Sequence, residues 1–214
     1  MTSLKKRIYT SITLFLLIYL VIKYDPILVF SLIVLGVLSL LEFFSLTKKL
    51  FKHFLINSII NFLFILYISI FCYLFIFFSN FLQLKILLFS LLFCCIASDI
   101  GGFIFGKLLK GPKLTKISPN KTYSGAIGSI LLSGLVFSTS IFYFTQNLNF
   151  KIIIIATLTS LACQIGDLFF SFLKRKGKIK DTGNILPGHG GVLDRLDGIF
   201  FGIPIGFIFM VLIY

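Results

Sequence analysis

Apolar residues run along this chain in seven long blocks separated by short polar segments. The blocks cover approximately Ile8–Ile22, Pro26–Leu46, Phe54–Phe78, Leu82–Phe105, Gly125–Phe144, Phe150–Phe172 and Gly198–Tyr214. An apolar run of about 18 residues or more is long enough to cross a bilayer as a helix. Lys5, Lys6 and Arg7 precede the first block as they would in a signal peptide. No small-residue cleavage site follows and further apolar blocks come quickly, so the block reads as a retained first span. The third block is long enough for one tilted helix. The pattern predicts an all-α polytopic integral membrane protein of about seven transmembrane helices, folded as one membrane domain over residues 1–214, with no internal repeat, low-complexity linker or soluble domain boundary.

Charge placement fixes the expected orientation. With the N-terminus inside, the cytoplasmic segments hold Lys5, Lys6 and Arg7; Lys48, Lys49 and Lys52; Lys107, Lys110, Lys113, Lys116 and Lys121; and Lys174, Arg175, Lys176, Lys178, Lys180 and Arg195. These are 17 of the 20 Lys and Arg; only Lys23, Lys85 and Lys151 fall outside. Such asymmetry follows the positive-inside rule, and an odd number of spans then puts the C-terminus outside. The net charge of +13 is thereby explained without nucleic acid, although the same basic surface attracts anionic lipid headgroups. A 58% hydrophobic content and a mean hydropathy of +1.07 agree with a bilayer location. Cys72, Cys94, Cys95 and Cys163 all lie in apolar blocks without metal-ligand spacing and read as small buried hydrophobes.

One polar stretch stands out, Ser171 to Gly198, reading SFLKRKGKIKDTGNILPGHGGVLDRLDG. Its glycines and Pro187 exclude one continuous helix. Clustered Lys and Arg bind phosphate oxygens, and glycines admit backbone N–H groups close to them. Asp194 and Asp197 are three apart, hence on one face of a helix, as a hard divalent cation requires. Cations, carboxylates and a glycine turn together point to Mg²⁺-dependent work on a phosphate or pyrophosphate. The plainer alternative is a positive-inside loop whose acids balance its bases.

The order Ser171-Phe-Leu-Lys174-Arg175, then Lys180-Asp181-Thr-Gly183, then Leu186-Pro187-Gly-His189-Gly190-Gly191-Val-Leu-Asp194-Arg195-Leu-Asp197 resembles the signature of the phosphatidate cytidylyltransferases, or CDP-diacylglycerol synthases. That family joins CTP to phosphatidic acid and releases pyrophosphate. Gly166-Asp167-Leu168 before the serine is also similar, and the resemblance implies that Asp167 and Asp194 are ligands of Mg²⁺, alone or with a second cation. Lys116-Ile-Ser118-Pro-Asn120-Lys121-Thr122 looks like a second block of the family. It lies at a helix entrance, where N–H groups and dipole favour anions, and the alternative there is an ordinary helix cap. Asp99 with Gly101 matches a third block.

The likeness covers about residues 99–198; the first 80 residues match only as hydrophobic spans. The chain departs from the family pattern at Phe170, where a glutamate is common, at Ile100 in place of threonine, and at Tyr123-Ser124 in place of Trp-Glu. Asp25 lies in an outside turn and receives no role. Glu42, shortly before Lys48 and Lys49, reads as an interfacial acid with or without function.

The resemblance implies a division of labour over residues 99–198 and their cytoplasmic loops, about 106–124 and 173–197. Asp167, Lys174, Arg175, His189, Asp194 and Asp197 form the catalytic set. Asp99, Ser118, Asn120, Lys121, Thr122, Lys180, Asp181 and Arg195 bind substrate. The partners are CTP, phosphatidic acid and membrane lipid, with a homodimer implied by the resemblance alone and no nucleic acid. The location is a bacterial-type cytoplasmic membrane, with the site on the cytoplasmic side. A CDP-archaeol synthase or a CTP-using polyprenol kinase is the nearest alternative. A transporter would want polar residues near the midplane and inverted repeats. No Walker A motif is present, since Gly106 and Gly111 lead to Pro112. Asp197-Gly198-Ile-Phe-Phe lacks the continuation of a CDP-alcohol phosphotransferase.

Overall fold

In hydrocarbon a backbone N–H or C=O finds no water, so each apolar block must satisfy its polar groups internally by forming a helix. The computed structural model of the chain describes residues 3–115, 118, 121–185 and 190–213, with side chains from residue 12 onward. Its seven helices among the described residues are α1 Ser3–Lys23, α2 Asp25–Leu50, α3 Phe54–Ser79, α4 Leu82–Leu109, α5 Tyr123–Thr145, α6 Phe150–Lys176 and α7 Leu193–Ile213. Six of these, α2 to α7, are long and apolar enough to cross a membrane, while α1 contributes a shorter apolar stretch, Ile12–Lys23.

Local sequence sets the breaks. Pro26 occupies the first turn of α2, where its missing N–H costs nothing, and Tyr24 ahead of it is extended. Helix α4 ends at Lys110, left-handed at φ 45°, two residues before Pro112. Helix α5 ends at Gln146, also left-handed at φ 55°. The helices outrun the apolar blocks: α1 starts at Ser3 rather than Ile8, α2 continues past Leu46 to Leu50, α4 past Phe105 to Leu109, α6 past Phe172 to Lys176, and α7 starts at Leu193 rather than Gly198. Each added turn carries a charged residue, which interrupts the apolar run that hydropathy detects. Basic residues in the last turn of α6 and Asp194 in the first turn of α7 suit the helix dipoles.

The described residues fall into two compact units interleaved along the chain. The first comprises Met1–Asn80 with Leu173–Leu196, and the second Phe81–Phe172 with Asp197–Tyr214. In the first unit, α2 meets α3 at Gly36, where an added Cβ would lie 3.3 Å from both Cys72 Sγ and Ile68 Cγ2. Further along the same seam Phe43 stacks on Phe64 at 3.8 Å between centroids, and Thr47 Oγ1 donates to Asn61 Oδ1 at 2.8 Å.

The second unit is held by small residues. An added Cβ at Gly101 on α4 would overlap the carbonyl of Gly128 on α5, so the two backbones touch. Ser129 Oγ donates to Ser98 O at 2.7 Å, and Ser98 shares a 2.8 Å hydrogen bond with Ser160 on α6. Gly166 of α6 faces Asp197 O of α7, where a Cβ would come within 2.6 Å. Lipid offers no hydrophobic drive to join helices, so close backbone approach and buried hydroxyls supply the cohesion, and large apolar side chains such as Phe15, Phe62 and Leu131 stay exposed.

Candidate active site

The polar stretch builds its own scaffold within the first unit. Lys174, in the last turn of α6, donates from Nζ to Asp194 Oδ1 at 2.7 Å. The pair is secluded, with 12% and 7% of the two side chains exposed. The other oxygen, Asp194 Oδ2, accepts the backbone N–H groups of Thr182 at 2.9 Å and Gly191 at 3.0 Å. Gly190, at φ +87°, takes a backbone shape that glycine adopts without cost, and Asp194 Oδ2 lies 3.0 Å from where its Cβ would be. Charge-assisted bonds from one ammonium and two amides therefore fix this carboxylate at the start of α7. In the same stretch Arg175, Lys180, Asp181 and Arg195 are exposed.

Glu42, which the sequence left undecided, is the third carboxylate here. It is buried on α2 and accepts from Thr182 Oγ1 at 2.7 Å, Val192 N at 2.9 Å and Leu193 N at 2.9 Å. An acid inside an apolar block was the available signal. Its partners, however, lie 140 to 151 residues further along the chain, beyond the reach of any spacing argument.

The second unit carries another lysine–carboxylate pair. Lys121 Nζ donates to Asp167 Oδ2 at 2.8 Å, bringing Lys121 onto α6. The loop before α5 closes on itself: Leu114 N donates to Lys121 O at 2.8 Å, Tyr123 N to Pro112 O at 3.1 Å, and Lys113 bridges Thr122. Thr122 Oγ1 caps α5 by accepting from Gly125 N at 3.1 Å, so the ordinary cap and the proposed binding role fall on one residue. Ser118 is half-buried in this loop, its N–H on Thr115 Oγ1 at 3.3 Å.

Asp197 is buried, one of its oxygens taking the N–H of Gly198 at 3.0 Å. Asp99 is exposed on α4, with Cys163 Sγ 3.8 Å from its Oδ1. Asn120 and His189 lie outside the described residues.

The departures from the family pattern have local work. Phe170 is fully buried and meets Phe201 edge-on at 6.4 Å between centroids. Ser124 Oγ accepts from Gly111 N at 3.2 Å, closing the loop ahead of α5. Ile100 is an exposed apolar residue on α4.

Among the described residues no three His, Cys, Asp or Glu side chains cluster as a ready-made metal cage. The donor chemistry nonetheless suits a hard cation. Asp167 and Asp194 each present carboxylate oxygens to a lysine ammonium, which places positive charge where a divalent ion would be favoured.

Compared with known proteins, the model of a family described as the cytidylyltransferase family matches residues 3–213. The chain belongs to the cytidylyltransferase family. Three bacterial relatives are each named phosphatidate cytidylyltransferase. The one from Rickettsia bellii is 48% identical over 129 residues, covering 56% of this chain and 56% of the relative. That from Helicobacter pylori strain 26695 is 46% identical over 112 residues, covering 52% and 42% respectively. That from Staphylococcus haemolyticus is 44% identical over 110 residues, covering 50% and 42%. The matches thus span about half the length of these curated relatives. Membership in the cytidylyltransferase family agrees with the resemblance carried by residues 99–198, and with a site built from lysines, carboxylates and glycines.

Proposed function

We propose that this chain is a CTP:phosphatidate cytidylyltransferase, a nucleotidyltransferase that makes CDP-diacylglycerol and pyrophosphate from CTP and phosphatidic acid for phospholipid synthesis. The observation that carries the reading is the stretch from Ser171 to Asp197, whose Lys174 and Asp194 form a secluded ion pair backed by two loop amides. We place the reaction in a bacterial cytoplasmic membrane, on the cytoplasmic side, in a single membrane domain of seven spans with the N-terminus inside and the C-terminus outside. The charge asymmetry supports that orientation. A homodimer is supported by the family resemblance alone.

In the reaction, a phosphate oxygen of phosphatidate forms a bond to the α-phosphorus of CTP. The bond from that phosphorus to the α,β-bridging oxygen breaks, and pyrophosphate leaves with the electron pair. The attacking oxygen is already anionic, so no strong general base is needed; what the site must supply is charge neutralisation and in-line positioning. Lys121, Lys174, Arg175, Lys180 and Arg195 clamp the triphosphate and the lipid phosphate, with Ser118, Asn120, Thr122 and Asp181 as polar contacts. Asp99 belongs to the same substrate-binding set. His189, next to Gly188 and Gly190 in sequence, orients a phosphate or a carboxylate. Asp167 and Asp194 are the carboxylates that would hold Mg²⁺, with Asp197 as a further acid; when bound, the ion adds positive charge beside the phosphates. Acyl chains stay among the spans while the headgroup meets CTP at the aqueous face.

The test is turnover by the purified full chain in detergent with CTP and phosphatidic acid, in Mg²⁺ and in excess chelator. CDP-diacylglycerol and pyrophosphate in equal amounts, lost on chelation and restored by Mg²⁺, are expected. Product from another lipid phosphate or a polyprenol, but none from phosphatidate, would move the enzyme to a neighbouring lipid class. Under the proposed roles, Lys121→Met removes a charged donor, a contact worth about 1.5–3 kcal/mol. It is therefore expected to raise the KM for CTP about tenfold or more with a smaller change in kcat. An unchanged KM would take Lys121 off the nucleotide.

A further inference from the structure

We propose that Glu42 is the positioning residue of this site: a buried carboxylate on α2 that anchors the loop carrying Asp194. The inference rests on the reading of Asp194 as part of the transfer machinery. Glu42 is 5% exposed, and a carboxylate secluded among apolar spans is tolerated only where donors replace its water. All three donors come from the polar stretch: the Thr182 hydroxyl and the amides of Val192 and Leu193. Val192 precedes α7 and Leu193 opens it, so the carboxylate also meets the positive end of that helix.

Backbone geometry ties Glu42 to Asp194 through shared residues. Thr182 gives its hydroxyl to Glu42 and its N–H to Asp194. The consecutive amides of Gly191, Val192 and Leu193 go to Asp194, Glu42 and Glu42 in turn. The loop wraps the Glu42 carboxylate so closely that side chains are excluded: a Cβ at Gly183 would lie 2.6 Å from Oε1, and one at Gly191 would overlap Oε2. Neither glycine is explained by phosphate contact alone. Glu42 touches no reacting group in this scheme; it acts by holding both strands of the loop so that Asp194 and Lys174 stay paired at the start of α7.

The test compares full-length wild type, E42Q, E42A, Thr182→Val and the control Ser39→Ala in detergent. Ser39 is buried one turn earlier on α2 and bonds only its own helix, at Leu35 O. Amide hydrogen exchange over residues 190–196 reads the anchored N–H groups directly. E42A is expected to speed exchange there at least about tenfold, since two amides lose a charged acceptor, while amides of α4 and α5 keep their protection. The kcat should fall by about 10- to 100-fold with the KM for CTP changed less than about threefold, as expected when geometry rather than binding is lost. E42Q keeps the shape and one acceptor oxygen and should recover part of both losses. Ser39→Ala should match wild type.

Wild-type exchange at 190–196 in both Glu42 variants would overturn the anchor. Faster exchange with unaltered kcat would overturn the positioning role. Should E42A fail to fold, E42Q and Thr182→Val, combined in one chain, decide the matter: less than additive effects support a shared anchor and additive ones reject it. If the wild type turns over no lipid at all, the transferase reading fails on its own. The exchange data then still support or overturn the anchor.

Discussion

Asp194→Asn is expected to lower CTP-dependent turnover by about 10²- to 10³-fold, the range for removing one preorganised electrostatic group, while leaving the protein in the membrane. Insertion depends on the apolar length of α7, which the exchange does not shorten. Asp194 takes a lysine on one oxygen and two amides on the other, so the neutral amide both discards the charge and points an N–H₂ group at donors. It also leaves Lys174, only 12% exposed, without its partner. Breaking a buried pair from one side costs about 3–5 kcal/mol, whereas removing both partners is often neutral. The double variant Lys174→Met/Asp194→Asn should therefore regain thermal stability in detergent but not activity. Stability and activity measured on the three variants separate the structural from the chemical role. Full activity in Asp194→Asn would remove it from the metal and from the reaction.

The contrast between Asp194 and Glu42 shows where sequence reading reached and where it stopped. Asp194 was legible because its neighbours in sequence are its neighbours in space: Lys174, Thr182 and Gly191 all lie within the same polar stretch. Glu42 was visible only as an acid in an apolar block, because its partners arrive from the far end of the chain. The helices themselves were legible as apolar runs, since hydrocarbon leaves the backbone no other choice. Their ends were not. The first turn of α7, Leu-Asp-Arg-Leu-Asp, reads as loop by hydropathy; its acid belongs there because a helix N-terminus favours negative charge. Thr122 posed a subtler problem. Sequence offered helix cap or substrate contact, and the structure shows the cap in place, a role that leaves the proposed contact to be tested by binding.

Helix packing gives the second large expected effect. Gly101→Ala should destabilise the second unit, and Gly134→Ala should not. At Gly101 a methyl group would overlap the carbonyl of Gly128 and stand 3.0 Å from Leu132 Cβ, so α4 and α5 must move apart. Overpacking of this kind costs about 1–3 kcal/mol. Here the obstacle is backbone, which no rotamer change relieves, so the upper part of that range is expected. Separation would also stretch the 2.7 Å bond from Ser129 to Ser98 O, and with it the Ser98–Ser160 contact to α6. Gly134, on the same helix as Gly128, has nothing within 4 Å of its would-be Cβ. Alanine there fills open space and gains about 0.5–1 kcal/mol of helix preference on the soluble scale. Because the chain contains no tryptophan, far-UV circular dichroism in detergent is the practical readout. A drop in Tm of several degrees for Gly101→Ala, beside an unchanged or higher Tm for Gly134→Ala, is the expected pair of results. Equal melting of the two variants would mean that α4 and α5 do not meet backbone to backbone. Small-residue contact would then not be what holds this unit together.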